Sequence, residues 1–507
     1  MESIIDKHIA PELTSEAFTL LEEKNKALEK KVNELTINNL YLKHELEKLK
    51  RMIFGAKSER YTGGENPAQL ALDLDMGPQP TKETIRESIT YNREKPKGKE
   101  KIGHGRLVLP AQLPRHPIVL EPETLVEGAR KIGEEITEVL DYTPGKLIVN
   151  KYIRPKYALP EEQGIAIAEM PSLPIPKGNA GAGLLAHIII SKFVDHLPFY
   201  RQLQQFKRQD EIEIAPSTIN GWFSQSSRLL EPLYDTLKKK IIETDYLMAD
   251  ETPIPVLTQD KPGATHKGYH WVYYSPVTKL VCFDYCKGRG REGPSAFLKD
   301  YSGSLQTDGY AGYNSFEQPG KIKLLSCMAH ARRKFEASLD NDPDRAKQML
   351  LLMQDLYAVE RCAREQGMDA TARKSLREEK AMPVLTKMET WLKANHEQVL
   401  PKSVIGGAIS YTLALWPRLV RYMEDGRYEI DNNLVENSIR PVALGRKNYL
   451  FAGSHEAAQR AAMMYSFIGS CKLNKVEPFT WFRDVLSRIS EHKANRLEEL
   501  LPQNYCK

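Results

Sequence analysis

The sequence predicts a multidomain α/β protein whose mixed-sheet core is interrupted by a long helical segment. The chain has 507 residues, too many for one hydrophobic core, and this length predicts about three or four domains. Strand patterns cluster between residues 246 and 326, whereas residues 336–427 are rich in Lys, Glu, Leu and Met and contain no strand pattern. A leucine repeat near the N-terminus adds a long helix.

The composition is that of a soluble globular protein, with 41% hydrophobic and 27% charged residues. A formal net charge of +5 does not by itself indicate a nucleic-acid-binding protein, so local charge has to carry that argument. The six cysteines are scattered, which argues against a disulfide framework. No signal-peptide pattern opens the sequence, and the longest apolar run is too short to span a bilayer. We therefore expect a cytoplasmic protein without membrane association.

Residues 1–60 are predicted to form an N-terminal coiled coil. Leucine recurs at every seventh position, and a second series stands three residues before each leucine. The leucines are residues 21, 28, 35, 42 and 49, and the second series is Phe18, Asn25, Val32, Asn39 and Leu46, which Ile53 continues beyond the last leucine. Asparagine in such a seam favours a parallel, in-register pairing, so we expect a homodimer or a higher oligomer. A single amphipathic helix packed on its own domain remains the alternative.

Residues 61–178 predict two small regions between this helix and the rest of the chain. Residues 61–105 contain prolines, glycines and closely spaced lysines, which predicts a basic linker. Such a linker is either a soluble spacer or a tether that adds affinity for DNA phosphates, and both interpretations stay open. Residues 106–178 predict a small β module, with a strand from Lys146 to Tyr152, and then a proline-rich connector.

Residues 179–242 are predicted to be helical. One amphipathic segment runs from His196 to Arg208, residues 209–215 form a polar turn, and a second helix opens at Pro216. This arrangement permits a helix-turn-helix-like DNA-binding domain, although any pair of antiparallel helices gives the same pattern.

The most informative stretch is the apolar run from Tyr246 to Ala249, which ends in Asp250 and is followed by Pro253. An apolar run of this kind predicts a buried strand, and we expect the proline to end its pairing. Asp250 would then lie at the end of a strand, where open α/β sheets carry their ligands. An ordinary turn remains the alternative for this stretch alone.

Residues 243–335 continue with four more strand patterns, which define the first part of the core. The patterns are His270–Tyr274, Leu280–Tyr285, Ser304–Thr307 and Ile322–Ser326, with a helix from Pro294 to Tyr301. Asp308 follows the fourth strand. The order β, β, β, α, β, α, β, α is that of the ribonuclease-H-like fold, in which the first and fourth strands are neighbours.

Three further segments complete the predicted architecture. Residues 336–427 form a helical insertion, residues 428–454 form the second part of the core, and residues 455–507 form C-terminal helices. The second part of the core contributes a helix that carries Glu436. Glu436 stands three residues after Asn433, so a capping box is an alternative role for its carboxylate.

Asp250, Asp308 and Glu436 together predict a site for divalent metal ions. In-line displacement at a phosphodiester requires charge stabilisation on the attacking and leaving oxygens, which two Mg²⁺ ions about 3.5–4 Å apart supply. Mg²⁺ prefers oxygen ligands and keeps much of its water, so a few carboxylates on rigid elements suffice.

The sequence resembles transposases of the insertion sequence 66 family, which are DDE enzymes on the ribonuclease-H-like fold. Five motifs in the same order carry the resemblance. They are Ala249–Pro253, Thr307–Tyr313, Cys327–Phe335, Asp431–Asn433 with Glu436, Arg440 and Pro441, and Gly445–Asn448 with Phe451–Ser454. The leucine repeat and its continuation through Met52–Gly55 and Ser58–Arg60 are also similar to the family, as are Asp195–Pro198 with Tyr200 and Arg201.

The resemblance implies that Asp250, Asp308 and Glu436 are the catalytic residues and hold two Mg²⁺ ions, for which Mn²⁺ can substitute. The implied reaction is hydrolytic nicking at the transposon ends, followed by attack of the freed 3′-hydroxyl on target DNA, without a covalent protein–DNA intermediate. The implied partners are transposon-end and target DNA and accessory proteins of the same element, with a nucleoid-associated location in the cytoplasm.

The sequence departs from the family at the β module, where many members carry two CxxC pairs that predict a zinc ribbon. No cysteine precedes Cys282, so a four-cysteine zinc site cannot form there. Cys327 and His330 have the spacing of half a zinc site, but no second pair accompanies them. We therefore expect a protein that uses no zinc.

Eight basic residues are candidates for binding DNA phosphates. They are Arg289, Arg291, Arg332, Arg333, Lys334, Arg440, Arg446 and Lys447. Each has the alternative of being a solvated or ion-paired side chain.

Two other functions remain open from the sequence. One is a nuclease on the same fold that cuts DNA without strand transfer, and the other is a DNA-binding scaffold whose acidic site is idle. Terminal inverted repeats around the gene favour a mobile element over the nuclease, and a metal-dependent cleavage assay separates both enzymes from the scaffold.

Overall fold

A computed structural model of the chain describes residues 15–54, 145, 147–150, 153, 156–158, 165–167, 172–176, 178–258 and 263–505. Over these residues the protein is a mixed α/β structure with mostly helical content and one five-stranded mixed sheet. The predicted basic linker and most of the predicted β module lie outside the described residues.

The N-terminal leucine repeat forms one continuous helix, α1 (Ser15–Phe54). Five residues of the predicted seam have side chains that are between 52% and 63% exposed. They are Leu28, Val32, Leu35, Leu42 and Leu46. A single chain therefore leaves much of this apolar seam in contact with water.

A two-stranded antiparallel ribbon, β1 (Lys156–Ala158) and β2 (Ile165–Ile167), lies in the predicted β module. The strand predicted from Lys146 to Tyr152 is not present over residues 147–150, which have no regular secondary structure. The adjacent β-branched residues Ile148 and Val149 give this segment a local preference for strand, which it realises only when a neighbouring strand pairs with it.

Three helices follow: α2 (Ala182–Phe193), α3 (Phe199–Asp210) and α4 (Pro216–Ile242). Pro216 opens α4, a position where a missing backbone N–H costs nothing. The 27 residues of α4 bury a long apolar face that includes Trp222, Leu230 and Leu237.

The core sheet contains five strands, and their order is β5-β4-β3-β6-β7. They are β3 (Tyr246–Leu257), β4 (Thr265–Ser275), β5 (Leu280–Cys286), β6 (Gly303–Thr307) and β7 (Ile322–Ser326). β3, β4 and β5 pair antiparallel, whereas β6 is parallel to both β3 and β7. The first and fourth strands of the sheet are thus neighbours, as the sequence predicted.

The prediction that Pro253 ends the strand after Asp250 is wrong. β3 continues through Pro253 and Pro255 and pairs with β4 as far as Leu257. Pro255 O accepts a hydrogen bond from Ala452 N (2.8 Å), on the side of β3 that faces away from β4. Because the N and O atoms of a strand residue point to the same side, the nitrogens of Pro253 and Pro255 also face away from β4 and do not interrupt pairing with it. Pairing with β6, in contrast, stops at Met248, two residues before Asp250. Asp250 therefore lies inside a long strand but at the end of its parallel pairing.

The remaining structure is helical and surrounds the sheet. After β5 come α5 (Glu292–Phe297), α6 (Met328–Ala337), α7 (Pro343–Glu365), α8 (Ala370–Leu376), α9 (Met382–His396), α10 (Val404–Leu419), α11 (Asn433–Tyr449), α12 (His455–Leu473) and α13 (Pro478–Arg488). Shorter helical turns are Ala311–Phe316, Arg377–Ala381, Val420–Met423, Ala494–Leu500 and Pro502–Asn504.

The edge strand β5 is covered by α12. Two serine hydroxyls of this helix accept hydrogen bonds from the strand, Ser466 from Phe283 N (2.8 Å) and Ser470 from Val281 N (3.1 Å). An edge strand otherwise presents unpaired backbone groups to other chains, and the helix satisfies them here. Among the helices in the described ranges, none has the length and apolar character that crossing a membrane requires.

Candidate active site

The three predicted acids come from three different elements of the core. Asp250 lies within β3, Asp308 follows β6 directly, and Glu436 lies in the first turn of α11. β3 and β6 are parallel neighbours, so the two aspartates are carried to the same end of the sheet.

Asp250 is partly buried and surrounded by other acids. Its pKa is raised well above the usual range, first by burial and then by the negative charges of Glu251, Asp308 and Glu436. Its Oδ1 accepts a hydrogen bond from Glu251 N (2.8 Å), which opposes this shift only in part. The negative charges of Asp308 and Glu436 therefore both act on the Asp250 carboxyl. The positively charged groups near the three acids do not balance the negative charge of the cluster.

The backbone around Asp308 is held by the helical insertion. Oδ1 of Asp308 accepts a hydrogen bond from Tyr310 N (2.8 Å), and Tyr411 of α10 donates its hydroxyl to Asp308 O (3.0 Å). Gly309 has a φ of +88°, and a Cβ at this position would lie 2.7 Å from Leu415 Cδ1. Only glycine suits this turn, because the backbone is left-handed and α10 packs closely against it.

Glu436 is positioned by the residues just before α11. The buried side chain of Asn432 donates from Nδ2 to Ala249 O (3.0 Å), which ties the start of α11 to β3 next to Asp250. The capping-box alternative for Glu436 is not realised. Its Oε2 accepts a hydrogen bond from Arg333 Nη2 (2.8 Å), and no group of the described chain bonds to its buried Oε1.

Cys327 and His330 lie beside Glu436. One ligand atom from each of the three residues lies within 4.8 Å of the other two. The Cys327 side chain is buried and its Sγ accepts a hydrogen bond from Asn432 N (3.1 Å). This sulfur, nitrogen and oxygen set is suited to a transition metal ion.

Three of the predicted DNA-contacting residues make ion pairs or hydrogen bonds to other residues of the chain. Arg289 pairs with Glu251 (2.6 Å) and covers the ring of Tyr310 (4.2 Å to the centroid). Arg333 pairs with Glu436, and Arg446 donates to Pro253 O. For these three the ion-paired or internally bonded alternative describes the observed contacts.

The other five basic residues are arranged differently. Arg291, Lys334 and Lys447 are exposed, although Lys334 Nζ lies 4.7 Å from the centre of the Tyr411 ring. Arg332 pairs with Glu336 on the same helix (3.2 Å), and Arg440 is partly buried on α11.

Sequence reasoning missed the roles of Asn432, Tyr411 and Arg333 in holding the acids. In the sequence, Asn432 is only one residue of the Asp431–Asn433 motif, and the charge of Arg333 predicts only a phosphate contact. Each acts on a residue about 100 or more positions away along the chain, as in the contact of Tyr411 with Asp308. A local pattern contains no signal for such pairs; only the short Asp-Asn-Asn run before α11 singled out Asn432.

Comparison with protein families gives four matches that cover most of the chain. The model described as the transposase IS66 family matches residues 177–460, and the IS66 C-terminal element matches residues 466–503. A model described as transposase C of IS166 homeodomain matches residues 41–118, and the zinc-finger binding domain of transposase IS66 matches residues 127–159. The homeodomain element and the transposase family together indicate a DNA-binding, DNA-processing protein.

The expectation that the protein uses no zinc is overturned by two of these findings. The zinc-finger binding domain model matches within the predicted β module, for which the absence of cysteine predicts that no zinc binds. Cys327 and His330 also acquire a third potential ligand, Glu436, which the sequence did not associate with them. The error arose because spacing along the chain was used to judge a site that a distant helix completes.

Comparison with individual proteins finds full-length relatives. The chain is 33% identical over 513 residues to the uncharacterized protein y4jD of Sinorhizobium fredii (strain NBRC 101917 / NGR234), covering 95% of this chain and 98% of that protein. It is also 33% identical over 501 residues to the uncharacterized protein y4qI of the same strain, covering 95% and 91%. From the family match over residues 177–460 and these relatives, the chain belongs to the IS66 family of transposases.

Proposed function

We propose that this transposase cuts DNA at the ends of an insertion sequence in a divalent-metal-dependent reaction and transfers the freed 3′-hydroxyl to target DNA. Asp250, Asp308 and Glu436 are the proposed catalytic residues and metal ligands. The observation that carries the proposal is the geometry of the core: the parallel neighbours β3 and β6 bring Asp250 and Asp308 to the same end of the sheet, and Asn432 ties the start of the Glu436 helix to Ala249 O. Burial and the charges of Glu251, Asp308 and Glu436 also raise the pKa of Asp250 well above its usual range. Such a concentration of negative charge is typical of a site that functions with cations bound.

The sheet supports a ribonuclease-H-like core for this reaction. Its strand order is β5-β4-β3-β6-β7. Strands β3, β4 and β5 pair antiparallel, whereas β6 and β7 run parallel to β3. In this arrangement one acid lies on the first strand, the next follows the fourth strand, and the third comes from a later helix. We infer that residues 336–427 are an insertion into that core.

The residues present fit a pair of magnesium ions. All three are carboxylates, the ligand type that Mg²⁺ prefers, and one oxygen of Glu436 is buried with no partner in the described chain. When bound, such ions stabilise negative charge on the attacking and leaving oxygens of the phosphodiester. Mn²⁺ favours the same ligands and is expected to substitute.

The protein contributes rigid positions for the three carboxylates. Asp250 projects from a long strand, Tyr411 and Gly309 hold the turn that carries Asp308, and Asn432 fixes the start of α11 against β3. Arg333 holds one oxygen of Glu436 and leaves the other free to act as a ligand. Rigid placement matters because small displacements of reacting groups cost large factors in rate.

DNA contacts are proposed for the exposed basic residues Arg291, Lys334 and Lys447. For Arg289, Arg333 and Arg446 we propose internal roles. The homeodomain match over residues 41–118 includes the lysine-rich segment 61–105 and supports the DNA-tether interpretation of that segment. Lysines of this kind contact phosphates without sequence preference.

The experiment that tests the function is a cleavage and strand-transfer assay on the DNA flanking the gene. Full-length protein with Mg²⁺ should produce nicked ends and joined target products, and Asp308→Asn should reduce both by at least ~100-fold. Cleavage without joined products would favour the nuclease alternative. Equal behaviour of wild type and variant would contradict the proposal and favour an idle scaffold.

We also propose that α1 mediates dimerisation through its exposed seam. Five seam residues are more than half exposed in the single chain, and a second helix would remove this apolar surface from water. The same chain offers a matched control, because Leu40 is 51% exposed but lies outside the seam.

Replacing Leu35 and Leu42 together by glutamate should convert a dimer into a monomer, because four charges would face each other across the seam. The measurement is molar mass by light scattering on full-length protein, with and without DNA. Leu40→Glu should leave the dimer intact. A monomeric wild type, or equal loss of the dimer in both variants, would contradict the seam as the interface.

A further inference from the structure

We propose that Cys327, His330 and Glu436 form a binding site for one zinc ion. The inference does not rest on the proposed catalytic function, because binding can be measured with the metal alone and without DNA. Residues 127–159, which match the zinc-finger binding domain, contain neither cysteine nor histidine. A zinc ion held by thiolate or imidazole therefore has to use residues elsewhere in the chain.

The three ligands come from the starts of two helices that meet at this point. Cys327 immediately precedes α6 and His330 lies three residues later, so the two side chains share one face of the helix start. Glu436 lies in the first turn of α11, and Asn432 N bonds to Cys327 Sγ (3.1 Å), which brings the two helix starts together. A second tie is the hydrogen bond from Met328 N to Ile430 O (3.1 Å).

Two polar atoms at this point have unsatisfied hydrogen-bonding capacity. His330 Nδ1 and Glu436 Oε1 are both buried and have no hydrogen-bond partner in the part of the chain that the structure describes. Buried polar atoms are normally paired, so two such atoms beside a buried thiol indicate a missing partner. A cation bound by all three residues would satisfy both atoms.

The ligand types select zinc rather than magnesium. Thiolate and imidazole are good ligands for Zn²⁺, whereas Mg²⁺ prefers oxygen. Thiolate and carboxylate together neutralise the two charges of the ion. The ligand atoms, within 4.8 Å of one another, need small side-chain rotations to reach Zn–S and Zn–N lengths of about 2.3 and 2.0 Å. Three protein ligands leave a fourth position for water.

Arg333 would act as the residue that orients these ligands. It donates to Glu436 Oε2 (2.8 Å), the oxygen that the proposed zinc site does not use, and its Nη1 lies 3.2 Å from His330 Nε2. Zinc at Nδ1 requires a proton on Nε2, so Arg333 would keep its bond to Glu436 and give up the contact with His330. Because Glu436 also belongs to the proposed catalytic site, zinc bound here would compete with magnesium for this carboxylate.

The test is metal binding by full-length protein that has been freed of metal and carries no histidine tag. We expect one Zn²⁺ per chain, a sulfur-to-metal charge-transfer band when Co²⁺ replaces it, and one Zn–S distance of about 2.3 Å by X-ray absorption. Cys327→Ser should abolish the band and weaken zinc binding by at least ~10-fold, a loss typical of changes in and around metal ligands.

Two further variants make the result decisive. Cys471→Ser removes another buried cysteine, in α12, and should bind zinc as the wild type does. Glu436→Gln keeps the thiol and should retain the Co²⁺ band but bind the metal more weakly, which covers the case in which Cys327→Ser does not fold. Zinc binding unchanged in Cys327→Ser or in Glu436→Gln, or no zinc binding by the wild type, would overturn the proposal.

Discussion

Asp250→Asn is expected to abolish metal-dependent DNA cleavage without destabilising the metal-free protein. Loss of one of the three proposed carboxylate ligands would remove several kcal/mol of transition-state stabilisation, which corresponds to a rate reduced by ~100-fold or more. The fold should tolerate the change, because asparagine has nearly the same shape and removes a carboxylate that burial and three neighbouring acids disfavour. Activity and stability should therefore respond in opposite directions.

The pH dependence of this effect follows from the raised pKa of Asp250. A carboxyl whose pKa is higher in the folded than in the unfolded protein contributes stability below its unfolded pKa, and this contribution is lost as pH rises through the folded pKa. Asparagine does not titrate. The melting temperatures of the two proteins are therefore to be compared without metal. The melting temperature of Asp250→Asn minus that of the wild type should increase as pH rises from acid toward and through the folded pKa of Asp250.

Magnesium should make the wild type more stable than Asp250→Asn, the reverse of the order expected without metal. Mg²⁺ binds the folded wild type and raises its melting temperature by mass action, whereas the variant should respond much less. Asp300→Asn, at an exposed position, is the matched control and should leave cleavage and the magnesium response unchanged. A variant that cleaves normally, or a wild type whose melting temperature ignores magnesium, would count against Asp250 as a metal ligand.

Arg377→Met is expected to cause the largest loss of stability in the helical insertion, about 3–5 kcal/mol. The Arg377 side chain is 0% exposed and donates to both carboxylate oxygens of Glu360 (2.7 and 2.9 Å). It also donates to the carbonyls of Tyr422 and Tyr428 (2.7 Å each). Methionine fills similar space but leaves these acceptors buried without that donor, and a buried charge without its partner is costly.

The same network links the insertion to the sheet. Arg373 joins Glu360 to Glu429 (2.6 and 2.8 Å), and Glu429 is bonded through its backbone to Tyr246 of β3 and Gln306 of β6. Loss of Arg377 should therefore also increase hydrogen exchange at the turn before α11. The measurement is denaturant unfolding combined with hydrogen exchange of α7 to α10 and of residues 424–432, which precede α11.

Two comparisons isolate the charge effect in Arg377→Met. Burial acts to raise the pKa of Glu360, but Arg377 and Arg373 lower this pKa below its usual value. The ionised Glu360 carboxylate therefore stabilises the fold at pH values above its unfolded pKa, and this stabilisation is lost as pH falls through its folded pKa. The difference between wild type and variant should shrink in acid, and adding Glu360→Gln should recover part of the loss. Lys393→Ala, which removes an exposed pair with Glu389, should cost roughly 0.3–0.5 kcal/mol. A similar cost for both single variants would contradict this account.

Several elements could be predicted because their signals are local. The seven-residue leucine repeat indicated α1, and apolar runs at 280, 304 and 322 indicated three of the five sheet strands close to their observed bounds. Hydrophobic periodicity and turn residues are properties of a few neighbouring positions, so they can be recognised without knowing what packs against them. The longer course of β3 could not be predicted, because a proline is compatible with pairing only if its nitrogen faces away from the partner strand.

By itself, the sequence determined the order of the strands along the chain and the long N-terminal helix, and it singled out Asp250, Asp308 and Glu436 as candidate metal ligands. Tertiary structure alone decided that Arg333 and Arg446 bond inside the protein, that Asn432 ties α11 to β3, and that Glu436 lies beside Cys327 and His330. The physical reason is that these contacts join residues about 100 or more positions apart. Their existence depends on how helices pack on the sheet, and a residue's charge or spacing along the chain does not reveal which distant group it meets.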